Sequence, residues 1–264
     1  MADRYTHGHS EAVLRSHRWR TAANSAAHLL PHLEAGQRLL DVGCGPGNIT
    51  GELAGLVEPG EVVGIDMSAE VVAQAEADVG QVENLSLRTA DVYELPFKEG
   101  DFDVVHAHQV LQHLADPHAA LLEMRRVLVD GGVLAVRDSD YGSFMWSPDD
   151  PLLDRWIALH HAAATANGAD ADAGRHLLGW VRDGGFREAV YSSSTWTYAT
   201  PGECGWWGTL WADRIEGSAF TEQVLGSGLS TRAEIEAIAG AFRRWAVAPN
   251  ASFVCVHGEV IARK

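Results

Sequence analysis

Short apolar runs alternate with amphipathic stretches through the first half of the chain. Such runs occur at 38–42, 62–66, 85–90, 103–107 and 133–137. Helical spacing of apolar residues fills the stretches between them. This rhythm is typical of βαβ units, in which parallel strands are buried on both faces of a sheet. The sequence therefore predicts an α/β fold.

Helix-start signals mark the amphipathic stretches. Ser68 and Asp116 can each cap the helix that follows, and Pro117 then stands at the first helical position. Thr231 and Glu234 have the spacing of a capping box. The pattern predicts helices over 11–33, 48–57, 117–130 and 172–183, and helices that begin after Ser68 and Thr231.

The alternation ends after Asp138, and two long excursions follow. They surround a predicted helix and a strand at 187–198, and a final strand follows at 253–261. The second excursion carries Trp206, Trp207 and Trp211. We expect both excursions to form a helical and aromatic cap over the carboxyl ends of the strands. The predicted organisation is a helical lid at 1–36, a core at 37–138, a cap insertion at 139–170, a core helix and strand at 171–198, a tryptophan-rich cap excursion at 199–249 and a final core strand at 250–264.

Charge and composition restrict the partners. The chain has 264 residues and a formal net charge of −16. Nucleic-acid binders carry a basic face, which this sequence lacks. No apolar run approaches the ~20 residues of a membrane helix, and the amino terminus lacks the apolar region of a signal peptide. With only three cysteines, we expect a cytoplasmic protein without nucleic-acid or membrane partners.

The most informative stretch is a glycine loop at the end of the first predicted strand. Glycines stand at 43, 45 and 47, where they permit a sharp turn and close approach of a ligand. Asp66 ends the next strand, and a carboxylate there can accept hydrogen bonds from ribose hydroxyls. The dinucleotide fingerprint needs a third small residue where this chain has Asn48. A nucleoside cofactor without a pyrophosphate fits better.

This loop resembles motif I of the class I S-adenosylmethionine-dependent methyltransferases, most closely the subgroup of ubiquinone- and menaquinone-biosynthesis enzymes. Further segments are similar in order: 64–68, 90–97, 102–114 and 126–132. The resemblance implies a Rossmann-like, seven-stranded, mostly parallel sheet with helices on both faces. It implies S-adenosylmethionine as cofactor and S-adenosylhomocysteine as product. The cofactor-binding residues it implies are Asp41, Gly43, Cys44, Gly45, Gly47, Asp66, Met67, Asp91, Val92 and His108.

Candidates for acceptor chemistry follow strands four and five or lie in the cap. His106, His108 and His113 are candidate general bases, since imidazole suits neutral pH; the alternative is hydrogen bonding that fixes the strand–helix turn. In related enzymes an amino-terminal helix covers the cofactor, and an arginine there could meet the methionine carboxylate. Candidate acceptor-binding residues are Asp138, Asp140, Tyr141, Trp146, Trp207 and Arg214.

We expect no metal site, because zinc-ligand spacing is absent and magnesium prefers carboxylates over paired imidazoles. The sequence thus predicts methyl transfer to a small molecule by in-line displacement. Oxygen, nitrogen and carbon acceptors stay open. Two alternatives remain: an enzyme that binds the same cofactor without methylating, such as a cyclase, and a regulatory subunit that performs no chemistry.

Overall fold

A computed structural model describes residues 16–264, and one sheet organises them. Its strand order is β3-β2-β1-β4-β5-β8, where β6 and β7 both pair with β8. Strands β1 to β5 pair in parallel, and β8 runs antiparallel to its neighbours. The predicted mostly parallel sheet is confirmed, with one short strand added to the predicted seven. The strands are β1 Leu39–Val42, β2 Val62–Asp66, β3 Leu85–Thr89, β4 Phe102–His108, β5 Leu128–Ser139, β6 Met145–Ser147, β7 Arg187–Tyr198 and β8 Ser252–Arg263.

Helices cover both faces of this sheet. Successive residues of a strand point to opposite faces: Leu40 packs in the cluster that contains Leu121 and Leu177, and Leu39 packs with Leu53 on the other side. The helices are α1 Ala22–Ser25, α2 Asn48–Val57, α3 Ala69–Val79, α4 Pro117–Val127, α5 Pro151–Ala166, α6 Ala173–Asp183, α7 Pro201–Gly217, α8 Ala219–Gly226 and α9 Arg232–Ala246. Within residues 16–264, no helix has the length and apolar character needed to span a membrane.

A third apolar cluster is built from the two excursions. Helices α5, α7, α8 and α9 contribute buried residues that pack around Trp156 and Phe253. The long strands carry the sheet into this cluster, since Tyr198 of β7 pairs with Phe253 of β8 beyond the end of β5. We refer to this assembly of α5, α7, α8 and α9 as the cap.

Two predicted helices differ from the structure. Within 16–33 the predicted single helix is wrong: Thr21 and Asn24 form a capping box that starts a new, four-residue helix. The rest of that segment contains a 3₁₀ turn at Leu30–His32. Helix α4 ends at Val127, and the chain passes directly into β5 at Leu128. Its predicted end near 130 was set by glycines that instead belong to the strand. Residues 1–15 of the predicted lid lie outside the described part of the chain.

Candidate functional site

The glycine loop joins β1 to α2 as a compact turn. Gly43 has φ +69°, and a Cβ atom there would lie only 2.4 Å from Val110 Cγ2. The loop is tied to the neighbouring strand, because the Cys44 N–H donates to the Ile65 carbonyl at 2.9 Å. Gly45, at φ +53°, meets no atom within 4 Å of its ideal Cβ position. Backbone conformation and packing thus require the first two glycines.

Asp66 stands at the end of β2 and faces this loop. Its Oδ1 accepts from the Ser68 N–H at 3.0 Å, and its Oδ2 accepts from the Gly45 N–H at 3.3 Å. Those bonds fix the carboxylate beside the turn. A carboxylate oxygen has two lone pairs, so Asp66 keeps the capacity to accept from ribose hydroxyls.

The loop and Asp66 border an outer cavity of about 240 Å³. Asp91 lies at its rim, where its Oδ1 accepts from the Tyr93 N–H at 2.9 Å. Apolar side chains near that aspartate offer a surface for a planar base. The outer cavity is lined by His17, Arg20, Asp41, Val42, Gly43, Cys44, Gly45, Pro46, Asn48, Ile49, Ile65, Asp66, Met67, Val71, Ala90, Asp91, Val92, Tyr93, His106, His108, Gln109, Val110, His113 and Leu114.

Nine of the ten predicted cofactor residues line this cavity, and Gly47 does not. A Cβ at Gly47 would lie 2.9 Å from Val79 and 3.3 Å from Ala75. That glycine therefore permits α2 to pack closely against α3. Cys44 lines the cavity as a neutral thiol, because burial raises its pKa well above the usual range.

The imidazole of His106 is buried and forms its hydrogen bond with another buried side chain. Its Nδ1 lies 2.7 Å from Asp41 Oδ1, and the Thr50 hydroxyl donates to the other oxygen of that carboxylate. This buried chain of hydrogen bonds joins β4 to β1 and α2. His106 borders the cavity, but its ring is oriented by Asp41.

His108 and His113 border the outer cavity as neutral imidazoles. Burial lowers the pKa of His108 well below 6.5, and the nearby guanidinium of Arg137 lowers it further. Burial, with Arg20 and Arg214 nearby, lowers the pKa of His113 to about 3. A group with so low a pKa is a weak base, which disfavours the general-base role predicted for these two side chains.

Beyond the outer cavity lies a smaller inner cavity of about 30 Å³. It is the narrower of the two cavities. The two cavities share four lining residues, which are His17, Arg20, Gln109 and His113. The remaining walls of the inner cavity are Ser16, Gln112, Ser139, Tyr141, Phe144, Trp196, Trp207, Trp211, Arg214, Cys255 and His257.

Three predicted acceptor-binding residues belong to that inner wall. The Tyr141 ring stacks on His160 at 3.8 Å, and Trp207 stacks on Tyr198 at 4.2 Å between ring centroids. The Arg214 guanidinium carbon lies 4.3 Å from the centre of the Trp211 ring. The aromatic walls are therefore held by stacking within the cap.

The structure does not bring the other three predicted acceptor-binding residues to either cavity. Asp138 is fully buried, accepts from the Gln112 N–H at 3.1 Å, and has a pKa that burial raises to about 8. Asp140 turns away into an ion pair with Arg175. Trp146 lies on β6, where it stacks on Phe253 at 5.7 Å. The path of the chain explains these three positions. After β5 the chain forms the additional strand β6, which pairs with β8 and so does not approach the cavities.

Five polar side chains of the inner wall were not predicted from the sequence: Ser16, Gln109, Gln112, Ser139 and His257. The two glutamines were visible as polar residues beside the fourth-strand histidines. Nothing in the sequence indicates that His257, on the last strand, reaches the same cavity. Among residues 16–264, no group of three or more histidine, cysteine or carboxylate side chains is arranged to hold a metal ion.

Comparisons with known proteins agree with this geometry. A family model described as a methyltransferase domain matches residues 33–181. An uncharacterized methyltransferase of Schizosaccharomyces pombe is 32% identical over 98% of this chain and 96% of its own length. A demethylmenaquinone methyltransferase of Staphylococcus aureus is 35% identical over 47% of this chain and 50% of its own length.

A solved structure shows the same fold. It is phosphoethanolamine N-methyltransferase 2 of Haemonchus contortus, in complex with phosphomonomethylethanolamine and S-adenosylhomocysteine. The TM-score is 0.59 at 15% identity, over 97% of this chain and 58% of the other. Three observations point to the same family. They are the glycine loop, the acid that follows it, and the family-model match over more than half of the chain. The chain belongs to the methyltransferase domain family and is an S-adenosylmethionine-dependent methyltransferase.

Proposed function

We propose that this methyltransferase transfers the methyl group of S-adenosylmethionine to a small molecule held in the inner cavity. The observation that carries the proposal is the wall shared by the two cavities. A donor in the outer cavity and an acceptor in the inner cavity meet at that wall. In-line displacement needs such a meeting, with the reacting atoms about 3–3.5 Å apart.

In this proposal the cofactor lies across the carboxyl ends of the strands. The adenine lies beside Asp91, the ribose beside Asp66, and the methionine carboxylate pairs with the guanidinium of Arg20. The strand order β3-β2-β1-β4 supports this orientation, because Asp91 follows β3, Asp66 ends β2 and the glycine loop follows β1. Strands about 4.8 Å apart give a span of about 14 Å from β3 to β4.

The chain contributes alignment and exclusion of water. Bound S-adenosylmethionine supplies a methyl group activated by its sulfonium, and the carbon–sulfur bond breaks with its electron pair left on sulfur. Since the pKa values of His108 and His113 are lowered, we assign these imidazoles to hydrogen bonding. The rate then depends mainly on how the acceptor is oriented.

A small acceptor fits the enclosure better than a macromolecule. The inner cavity is narrow and walled by aromatic residues of the cap, and the net charge of −16 opposes polyanion binding. All three cysteines are free and buried, which suits a reducing compartment. We therefore propose a cytoplasmic enzyme with neither nucleic-acid nor membrane partners.

The test combines calorimetry with an activity screen. We expect S-adenosylhomocysteine to bind with one-to-one stoichiometry. We also expect turnover of at least one member of a panel of phenols, primary and secondary amines, and carbon acids, measured as formation of S-adenosylhomocysteine. No heat with either the donor or its product would contradict the assigned cofactor site. Binding without transfer to any member of the panel would contradict the small-molecule acceptor.

A further inference from the structure

Gln109 combines an unusual backbone conformation with a position between the cavities. Its φ is +56°, and Glu188 is the one other non-glycine residue with positive φ in the described part of the chain. The Gln109 N–H donates to the Arg137 carbonyl at 2.7 Å, which holds the turn after β4. Left-handed backbone in a non-glycine residue is strained, and persists where the surrounding structure imposes it. This turn directs the carboxamide to the shared wall.

Both hydrogens of the Gln109 carboxamide have partners in the inner wall. Its nitrogen donates to Ser139 Oγ at 2.8 Å and to His257 Nε2 at 3.0 Å. Ser139 is fixed in turn, because its N–H donates to Gln112 Oε1 at 2.9 Å. His257 is buried next to Arg137 and neutral, since burial and then Arg137 lower its pKa well below 6.5. A neutral imidazole nitrogen can accept the amide hydrogen.

The carbonyl oxygen of Gln109 is therefore the part of the carboxamide left for a ligand. It makes no hydrogen bond with any residue of the segment 16–264, and Gln109 lines both cavities. The other residues of the shared wall are a guanidinium and two imidazoles. An amide oxygen only accepts hydrogen bonds, so it recognises a group that donates one.

We propose that Gln109 Oε1 binds the reacting group of the acceptor, and that the enzyme methylates a hydroxyl or an amine bearing a hydrogen. This inference rests on the proposed function and narrows its acceptor class. The hydrogen bond holds the N–H or O–H to one side and leaves a lone pair of the same atom facing the donor. That lone pair forms the bond to the methyl carbon, the carbon–sulfur bond breaks with its electron pair on sulfur, and the proton passes to water when the methylated product leaves the cavity.

The test compares phenol with anisole as probes of the S-adenosylhomocysteine complex. Anisole carries a methyl group in place of the hydrogen that Gln109 would accept, and the Gln109 variant below separates the effect of that hydrogen from the effect of size. We expect phenol to bind the wild-type complex at least about fivefold more tightly, the scale of one neutral hydrogen bond. Tryptophans 196, 207 and 211 line the inner cavity, so titration can be followed by intrinsic fluorescence and checked by calorimetry.

Three variants give the comparison its controls. Gln109→Gly removes the carboxamide with its hydrogen bonds to Ser139 and His257 and relieves the left-handed strain, two effects that oppose each other in thermal stability. We expect a folded variant that still binds S-adenosylhomocysteine and has lost the preference for phenol. Gln109→Glu keeps an acceptor oxygen and should keep the preference. Glu188→Gly relieves the same kind of strain at an exposed position and should change neither affinity.

Two results would overturn the inference. One is a wild-type complex that binds phenol no more tightly than anisole, and the other is a preference that survives in Gln109→Gly. Absence of S-adenosylhomocysteine binding would instead refute the proposed cofactor site. The two failures are therefore distinguishable.

Discussion

The outer and inner cavities are walled by different kinds of structure. The outer cavity is bordered by the turns that follow β1 to β4, and its shape depends on backbone features such as the left-handed Gly43. The inner cavity is bordered by side chains from the cap, from β5, β7 and β8, from residues 16–20 and from the segments that follow β4 and β5. A ligand of the first is held largely by a rigid parallel sheet, whereas a ligand of the second depends on mutually packed aromatic rings. Donor and acceptor binding should therefore respond to different substitutions.

Acid should produce the largest effect, and it should act on the stability of the fold as a whole. His28, His108, His113, His160 and His257 all have pKa values lowered first by burial. Each stays neutral in the folded state while its unfolded counterpart is protonated below about pH 6.5. The contribution of these imidazoles to folding stability is thus full above that pH, and it falls by about 1.4 kcal/mol per pH unit for each imidazole as acid is added. Denaturant titrations at pH 7.5, 6.5 and 5.5 measure this slope.

Asp138 provides the control of opposite sign. Its pKa is raised to about 8, so its contribution is full below about pH 4 and is lost as the pH rises towards 8. Asp138→Asn should therefore flatten the fall in stability between pH 6.5 and 8. Stability that is constant from pH 7.5 to 5.5 in the wild type would contradict the buried neutral imidazoles.

A methyl group added to the glycine loop should damage the outer cavity next most strongly. Gly43→Ala combines a left-handed residue with a contact 2.4 Å from Val110. We expect a loss of about 2–4 kcal/mol in the free energy of unfolding, and weaker S-adenosylhomocysteine binding in the folded fraction. Gly205→Ala is the matched control, since a Cβ on that helical residue of the cap meets no atom within 4 Å. If Gly43→Ala changed neither the free energy of unfolding nor the affinity for S-adenosylhomocysteine, the turn would tolerate a side chain at this position.

Removal of the Asp66 carboxylate should weaken ligand binding in the outer cavity, leave the inner cavity unchanged and not unfold the protein. Asp66→Ala should weaken S-adenosylhomocysteine binding by about 1–3 kcal/mol, the range for hydrogen bonds to a charged group. Calorimetry measures this change, and Asp183→Ala, at the exposed end of α6, controls for lost charge. Equal affinities in the variant and the wild type would remove Asp66 from the site.

The smallest effect on the donor should come from the cap. Trp207→Phe keeps an aromatic ring against Tyr198 but shortens the inner wall. We expect S-adenosylhomocysteine affinity within about twofold and a several-fold loss of phenol binding. If Trp207→Phe weakened S-adenosylhomocysteine binding as much as Asp66→Ala does, donor and acceptor binding would not depend on different cavities.

The same contrast explains what could be predicted from sequence. The loop from Asp41 to Gly47 and the acid Asp66 are short local patterns, whose chemistry depends on glycine conformation and strand ends. The outer cavity follows from them almost directly. The inner cavity depends on contacts between distant segments, such as His257 with Gln109. No local pattern specifies that pair, and positive φ at a glutamine runs against residue preference.

The acceptor residues predicted after β5 illustrate this limit. Asp138 and Asp140 are predicted to bind the acceptor because they follow a strand end, where ligands bind in such folds, and Trp146 is predicted because tryptophans of the cap excursions can form an apolar pocket. The long strand β8 instead pairs with both β5 and β6 and directs these side chains into the interior or towards Arg175. Within 16–33 the predicted single helix is wrong because Thr21 and Asn24 form a capping box that starts a new helix at Ala22.

We propose that donor and acceptor meet across one shared wall, and a crystal structure of the complex with S-adenosylhomocysteine can show whether they do. We expect the ribose to contact Asp66 and the sulfur to lie beside Gln109 and His113, facing the inner cavity. A sulfur that points away from that wall, or a ligand bound elsewhere, would contradict it.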